Sequence, residues 1–529
     1  MQNGPQNPFL ANSSYAVAHG RSDQQDNVSW RGPEGPTEVL DEAHDIQYAW
    51  LGPCHFGGLI SGAYPDGKRT IWSNGKQNIV KLDYDTLEVL ANHEIVGAGG
   101  CSPQAELEEN LVGLDEKEDW EAIEHAIELS MKYMTGLDGV YALLDLDHTL
   151  FLGRKDHAVA YVEHDPTDRG SEIIERNRWY KPDHITGAFV GMNITFDGRL
   201  VMSTDRGWVV VLARDFSEYH AIQVRGGAEE AEAYCAEKEA AGRVGYGWMR
   251  TSMCVDDDNG IYCSSNDHHH KLRWTGTELT DDEAHGCWSV PYRNGGGTGS
   301  GTTPSLMGFG PDDDKFVVFG DGDEVVNITL AWRDEIPADW TQLPNAPHRR
   351  IAGIGPANMG DPDLATIQTE QSITVSGYGA MTVNNEPATI PEGFPGQGVR
   401  MLCFMLGHKP EYTPHGMHKY AWDPAARELR EAWVNLEISS PNSVPFVAEE
   451  SGLVYTCGAR DGKWTIEAAD WETGETAFHY VLGGSKFNTI GAGVTVDDDG
   501  HLLFGSMYGK TRILREPGTG TPVAATTGV

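Results

Sequence analysis

Short apolar runs alternate with tight polar turns along almost the whole chain. The clearest stretch, 191–215, reads as strand, Asp197-Gly198 turn, strand, Asp205-Arg206-Gly207 turn, strand. An Asp-Gly pair between apolar runs favours positive φ and marks a hairpin. One such meander cannot bury both its faces, so its recurrence predicts a radial repeat. First-hairpin turns recur near positions 66, 147, 197, 259, 313, 378, 452 and 499. That spacing suits four-stranded propeller blades carrying insertions. The pattern predicts an all-β fold, a single eight-bladed β-propeller, or seven blades if the irregular sixth unit is parsed differently.

The blades are expected at 54–90, 139–174, 191–215, 251–274, 303–332, 371–433, 442–481 and 491–514. Residues 46–51 read as a strand that helps close the ring. Two segments switch to helical periodicity. In 103–134, Ser102-Pro103 reads as a helix start, and Trp120, Ile123, Ile127 and Met131 fall on one helical face. The second segment, 228–241, is rich in Ala and Glu. A Pro/Gly-rich loop at 387–398 interrupts the sixth blade. Residues 1–45 read as an irregular arm wrapping the surface, 46–515 as the propeller and 516–529 as a flexible tail.

The recurring grammar is strand, Asp-Gly, strand, Ser/Thr-x-x-Gly, strand, Asp-x-x-Thr or Thr-Gly, strand. It is best seen in KLDYDTLEVL at 81–90 and AADWETGETAFHYVLG at 468–483. This grammar resembles the quinoprotein alcohol-dehydrogenase-like propeller superfamily, and the resemblance implies a fold, not a function. The chain lacks the adjacent Cys-Cys pair of the quinoprotein dehydrogenases, and their secretory signal is not expected here. Pyrroloquinoline quinone is therefore not expected as a cofactor.

Net charge is −40, with acidic residues spread along the chain. Such a surface repels phosphate backbones and anionic lipid, so neither nucleic acid nor membrane is an expected partner. It suits solubility in a salty milieu, or steering of cationic ligands. No run of 18 apolar residues is present. The eight cysteines are scattered without a Cys-x-x-Cys, which favours reduced thiols and a cytoplasmic location. Cys254 and Cys263 flank one turn and could lie close.

In a propeller the first strand of each blade lines the channel, and both helical insertions connect blades on the top face. A helical cap over a channel mouth builds a water-excluding pocket. Polar residues at the tops of first strands are the candidates: His55, Asn193, Thr251, Ser252, Thr302, Thr303, Glu370, Gln371, Asn442, Ser443 and Asn488. Small neighbours around His55 leave room for a ligand, although a core histidine would read the same way. Glu370 could pair with it as acid or base. Arg250 suits an anion clamp, since guanidinium binds carboxylate in bidentate fashion, or it is simply paired with an aspartate. His268 and His270 alternate to one side of a b–c turn and could hold a divalent metal.

The function these features suggest is an enzyme acting on a small or medium organic substrate in the capped channel. Hydrolase- or lyase-type, non-redox chemistry would use His55 and Glu370. Arg250, Asn193, Thr303, Asn442 and Asn488 would bind substrate. The alternative is a non-catalytic propeller that binds a protein or peptide across its top face.

Overall fold

The computed structural model describes residues 3–134, 139–224, 227–241, 246–394 and 399–523. Eight antiparallel sheets follow one another along the chain. The first comprises Leu59–Ile60, Thr70–Asn74, Asn78–Asp83 and Val89–Glu94, and the third Phe189–Ile194, Arg199–Thr204, Trp208–Ala213 and Tyr219–Gln223. Each sheet is a blade with strands a to d from the axis outward. The eighth borrows its outermost strand from near the N-terminus: Ile46–Trp50 pairs antiparallel with Gly509–Ile513. That pairing closes the ring, as the strand signal at 46–51 predicts.

Burial explains the strand composition. Middle strands are covered on both faces by neighbouring blades, so Val209, Val210, Val211 and Leu212 are all fully buried. Outer strands face solvent on one side, and Val89–Glu94 is mostly exposed. The a–b turns are fixed by a recurrent aspartate. Asp145, Asp256 and Asp497 each accept backbone N–H groups from two and four residues downstream. Gly198 and Gly500 supply the positive φ at such turns, 86° and 82°.

Residues 3–28 correct the expectation of a surface arm. They are irregular, yet they run through the central channel at the a–b end of the inner strands. The backbone N–H groups of Ile60, Val255, Leu306, Val375 and Val447 donate to the carbonyls of Tyr15, Ser22, Asp23, Gln25 and Asp26. Leu144 exchanges bonds with Ala11 and Ala16, Asn193 reaches the carbonyl of Ser22, and Ser14 donates to Asp498. Every blade is touched in this way. Inner strands would otherwise present an unpaired edge to the axis, and unpaired backbone groups are costly to bury. The arm then leaves beneath blade seven, pairing at Asn27–Val28 with its inner strand and at Glu38–Val39 with its outer one.

Helices decorate the opposite, top face. After the short turn α1 (Glu42–Asp45), α2 (Gln104–Glu116) and α3 (Asp119–Leu129) occupy the first insertion, and α4 (Gly227–Ala240) the second. The buried face of α3 is Ala122, Ile123, Ala126 and Leu129. Trp120, Ile127 and Met131 are substantially exposed, so the apolar face expected from the sequence is rotated. A further helix, α5 (Arg400–Leu406), lies in the b–c connection of blade six. It packs with α2 and α3 into one apolar cluster through Leu402, Met405 and Leu406. Residues 395–398 of the Pro/Gly-rich loop and 524–529 of the tail lie outside the described residues. Residues 516–523 turn back, with Glu516 N–H donating to Thr521. No helix among the described residues is long and apolar enough to cross a membrane. All eight cysteines are free, and only Cys101 is exposed.

Candidate functional site

Plugging one end of the channel with the arm and capping the other with helices leaves a cavity of about 240 Å³ on the axis. Its floor is Tyr15, Ala18 and His19 of the arm. Its walls include Phe56, Tyr141, Glu370, Gln371, Ser372 and Ile490, and Met134 and Phe404 come from the cap.

His19 is the chemical centre of this cavity. Its Nδ1 lies 3.0 Å from each carboxylate oxygen of Asp26. Its Nε2 lies 3.4 Å from the hydroxyl of Ser372 on blade six. All three are buried, yet His19 and Ser372 both line the cavity. Asp26 accepting Nδ1–H leaves the Nε2 lone pair facing the hydroxyl. Burial raises the Asp26 carboxyl, opposed by the imidazole beside it. His19, Gln24 and Asp26 all hold positive φ, between 59° and 64°. Non-glycine residues rarely do so, and such strain collects at functional sites. Gln24 fixes the turn by donating to the carbonyls of Ala18 and Arg21. Tyr141 contacts Thr303 at 3.3 Å, and burial raises its phenol so that it stays a donor.

Beside Ser372, Glu370 accepts from Nη1 of Arg250 at 3.1 and 3.2 Å and from Nη1 of Arg400 on α5. The anion clamp expected at Arg250 is thus half engaged by an acidic neighbour. The expected His55–Glu370 pair is not formed. His55 is fully buried within blade one, bonded to Ser73 at 3.0 Å and Asn78 at 2.9 Å. Burial pushes its pKa down to about 3. Among the cavity's lining residues are Phe56 and Gly57, not His55.

The other expected ligands take up framework roles. Asn193 ties the arm to blade four through Ser22 and Met253. Asn442 and Asn488 both donate to the carbonyl of Phe404, at 2.9 and 2.8 Å, and so hold α5 over the cavity. Thr303 stands against Tyr141 at the cavity wall. His268 pairs with Asp267 and His270 with Ser265, their rings 6.2 Å apart. Among the described residues no group of three or more His, Cys, Asp or Glu is arranged to hold a metal. Cys254 and Cys263 face Tyr262 and His270 across their ladders and are not bonded to each other.

Sequence reasoning missed His19, Asp26 and Ser372. The available signal was the density of Ser, Asn, Gln, Asp and His on either side of Tyr15-Ala-Val-Ala18 within 12–27, a stretch too irregular to be a blade.

These features define the class: an eight-bladed propeller, plugged by its own N-terminal arm and capped by helices over an axial cavity. No family model matches the chain. An uncharacterized protein of Archaeoglobus fulgidus is 27% identical over 522 residues, covering 96% of this chain and 89% of that protein. Among solved structures, quinohemoprotein alcohol dehydrogenase from Comamonas testosteroni superposes on 98% of this chain and 83% of its own, with TM-score 0.50 and 12% identity. BamB from Moraxella catarrhalis matches 69% of this chain and 93% of its own, with TM-score 0.39 and 10% identity. The quinohemoprotein likeness is one of fold alone and supports the quinoprotein-like propeller resemblance at that level. The eight thiols are dispersed, so the adjacent cysteine pair of the quinoprotein dehydrogenases has no counterpart here.

Proposed function

We propose that this protein is a hydrolase acting on a small ester or amide in the axial cavity. One observation carries the reading: an imidazole held between a buried carboxylate and a hydroxyl, on the floor of a capped cavity. The same constellation of roles recurs on unrelated folds and is recognised by geometry rather than by order in the chain. Ser372 Oγ attacks the substrate carbonyl while its proton passes to His19 Nε2. Asp26 holds the Nδ1–H and stabilises the imidazolium. His19 returns the proton to the leaving alcohol or amine, and water then cleaves the acyl-serine with His19 again as base. Tyr141 offers a protonated hydroxyl to the cavity. Apolar Phe56, Met134 and Phe404 exclude bulk water, which strengthens each of these interactions.

The test is labelling with a fluorophosphonate probe followed by peptide mass spectrometry. Ser372 is expected to be modified, Ser372→Ala to abolish the adduct, and His19→Gln to slow it. A folded wild-type protein that leaves Ser372 unlabelled at saturating probe would refute the proposal.

A further inference from the structure

Beyond the wall formed by Val140 and Tyr141 lies a second cavity, of about 340 Å³. It is lined by Asp205, Arg206, Tyr246 and Arg250, with Cys235 and Glu239 contributed by α4. Val140 and Tyr141 line both cavities, and the Arg250–Glu370 ion pair links them, Arg250 lining the second and Glu370 the axial one.

The two guanidiniums of this cavity differ in how they are satisfied. Arg206 is ion-paired to Asp205, Glu232 and Glu239. Arg250 uses only Nη1, on Glu370, and its Nε and Nη2 are buried with no hydrogen-bond partner. Buried donors left open are costly, and each such group calls for an explanation. Nε–H and Nη2–H form one edge of the planar guanidinium, two parallel donors that match the two oxygens of a carboxylate. Tyr246 lies 5.0 Å from the guanidinium carbon and covers one face of the plane. Gly301 stands against this edge: a Cβ there would lie 3.0 Å from Nη2, 2.8 Å from the Thr369 carbonyl and 2.7 Å from Glu370 Oε2. Asp205, Glu232 and Glu239 are paired with Arg206 rather than with Arg250. Arg400 adds a second guanidinium on Glu370, so that carboxylate does not neutralise Arg250 alone.

We propose that the unpaired edge of Arg250 binds a small carboxylate, making the second cavity an anion site beside the axial one and independent of the hydrolase reading. Titration calorimetry with benzoate and butyrate, against benzamide and butyramide, tests it on the full chain. Carboxylates are expected to bind saturably and the amides not. Arg250→Gln should weaken carboxylate binding by on the order of tenfold or more, and Arg250→Lys should not restore it, because a single ammonium lacks the fork. Circular dichroism and the unliganded melting point show whether each variant is folded. If Arg250→Gln fails to fold, Arg250→Lys carries the test with the same expected loss.

Equal binding of acids and amides, or unchanged benzoate affinity in folded Arg250→Gln, would overturn the proposal. So would tighter binding of inorganic phosphate than of benzoate. Labelling of Ser372 without carboxylate binding would defeat the subsite and leave the hydrolase reading intact. Carboxylate binding without labelling would do the reverse.

Discussion

Replacing Asp26 by Asn separates the chemistry of the axial site from its stability. The two side chains are nearly isosteric, and Asn tolerates the φ of 59° that residue 26 adopts. Asp26 accepts the Nδ1–H of His19 with both oxygens at 3.0 Å. An asparagine turned with its NH₂ toward Nδ1 moves the ring proton to Nε2, where it faces Ser372 and cannot accept the hydroxyl proton. Turned the other way, it offers only a neutral acceptor to a developing imidazolium. A hydrogen bond to a charged group is worth about 1.5–3 kcal/mol, or about one to two powers of ten in rate. Tautomer reversal in this type of triad costs up to about 10⁴. The rate of Ser372 phosphonylation, followed by stopped-flow or gel fluorescence, should therefore fall by on the order of 10 to 10⁴.

Stability should move far less. Burial already disfavours the Asp26 carboxylate, so its removal relieves part of what the lost bond costs. The net loss should be about 1–2 kcal/mol. In a chain of this size that lowers the melting point by about 1–2 °C per kcal/mol, scaling down from smaller domains. A folded Asp26→Asn protein that labels within about threefold of the wild-type rate would show that His19 does not relay protons through this carboxylate.

Three further outcomes follow from the structure. The pKa of His55 lies well below its unfolded value of 6.5, so its stabilising contribution is complete above pH 6.5 and is lost as pH falls toward 3, about 5 kcal/mol in all. His55→Leu should therefore be destabilised at pH 7, since Ser73 and Asn78 each lose one buried partner, with the gap to wild type narrowing by about 3 kcal/mol at pH 4; a pH-independent gap in chemical or thermal melts would contradict this. Asn488→Ala removes a donor from the Phe404 carbonyl and should speed hydrogen exchange in α5 by about ten- to a hundredfold while the blade strands stay protected; unchanged exchange there would show that the asparagines do not hold the cap. With a net charge of −40, the melting point should rise from low to molar salt as self-repulsion is screened, and a flat or falling trend would count against that account.

The sequence by itself determined the repeat. Asp-Gly turns and apolar alternation are local signals, set by φ preferences and by which face of a strand is wet, so the eight blades and the closing strand at 46–50 were legible one hairpin at a time. The insertions at 103–134 and 228–241 were legible as helices for the same reason, although the buried face of α3 was decided by what it packs against. The helix α5 was hidden behind a Pro/Gly-rich stretch. Only the tertiary structure decided where the arm goes, because its hydrogen-bond partners are inner strands up to more than four hundred residues away, and a polar segment reads alike whether water or backbone satisfies it. The axial site shares that origin. His19 and Ser372 are 353 positions apart, and no local pattern links them. His55, by contrast, had an inviting local sequence but turns into its own blade, where Ser73 and Asn78 satisfy both ring nitrogens. Turn chemistry is short-ranged and can be read along the chain; the pairing of buried polar groups is settled only when ring closure brings the arm and the blades to one axis.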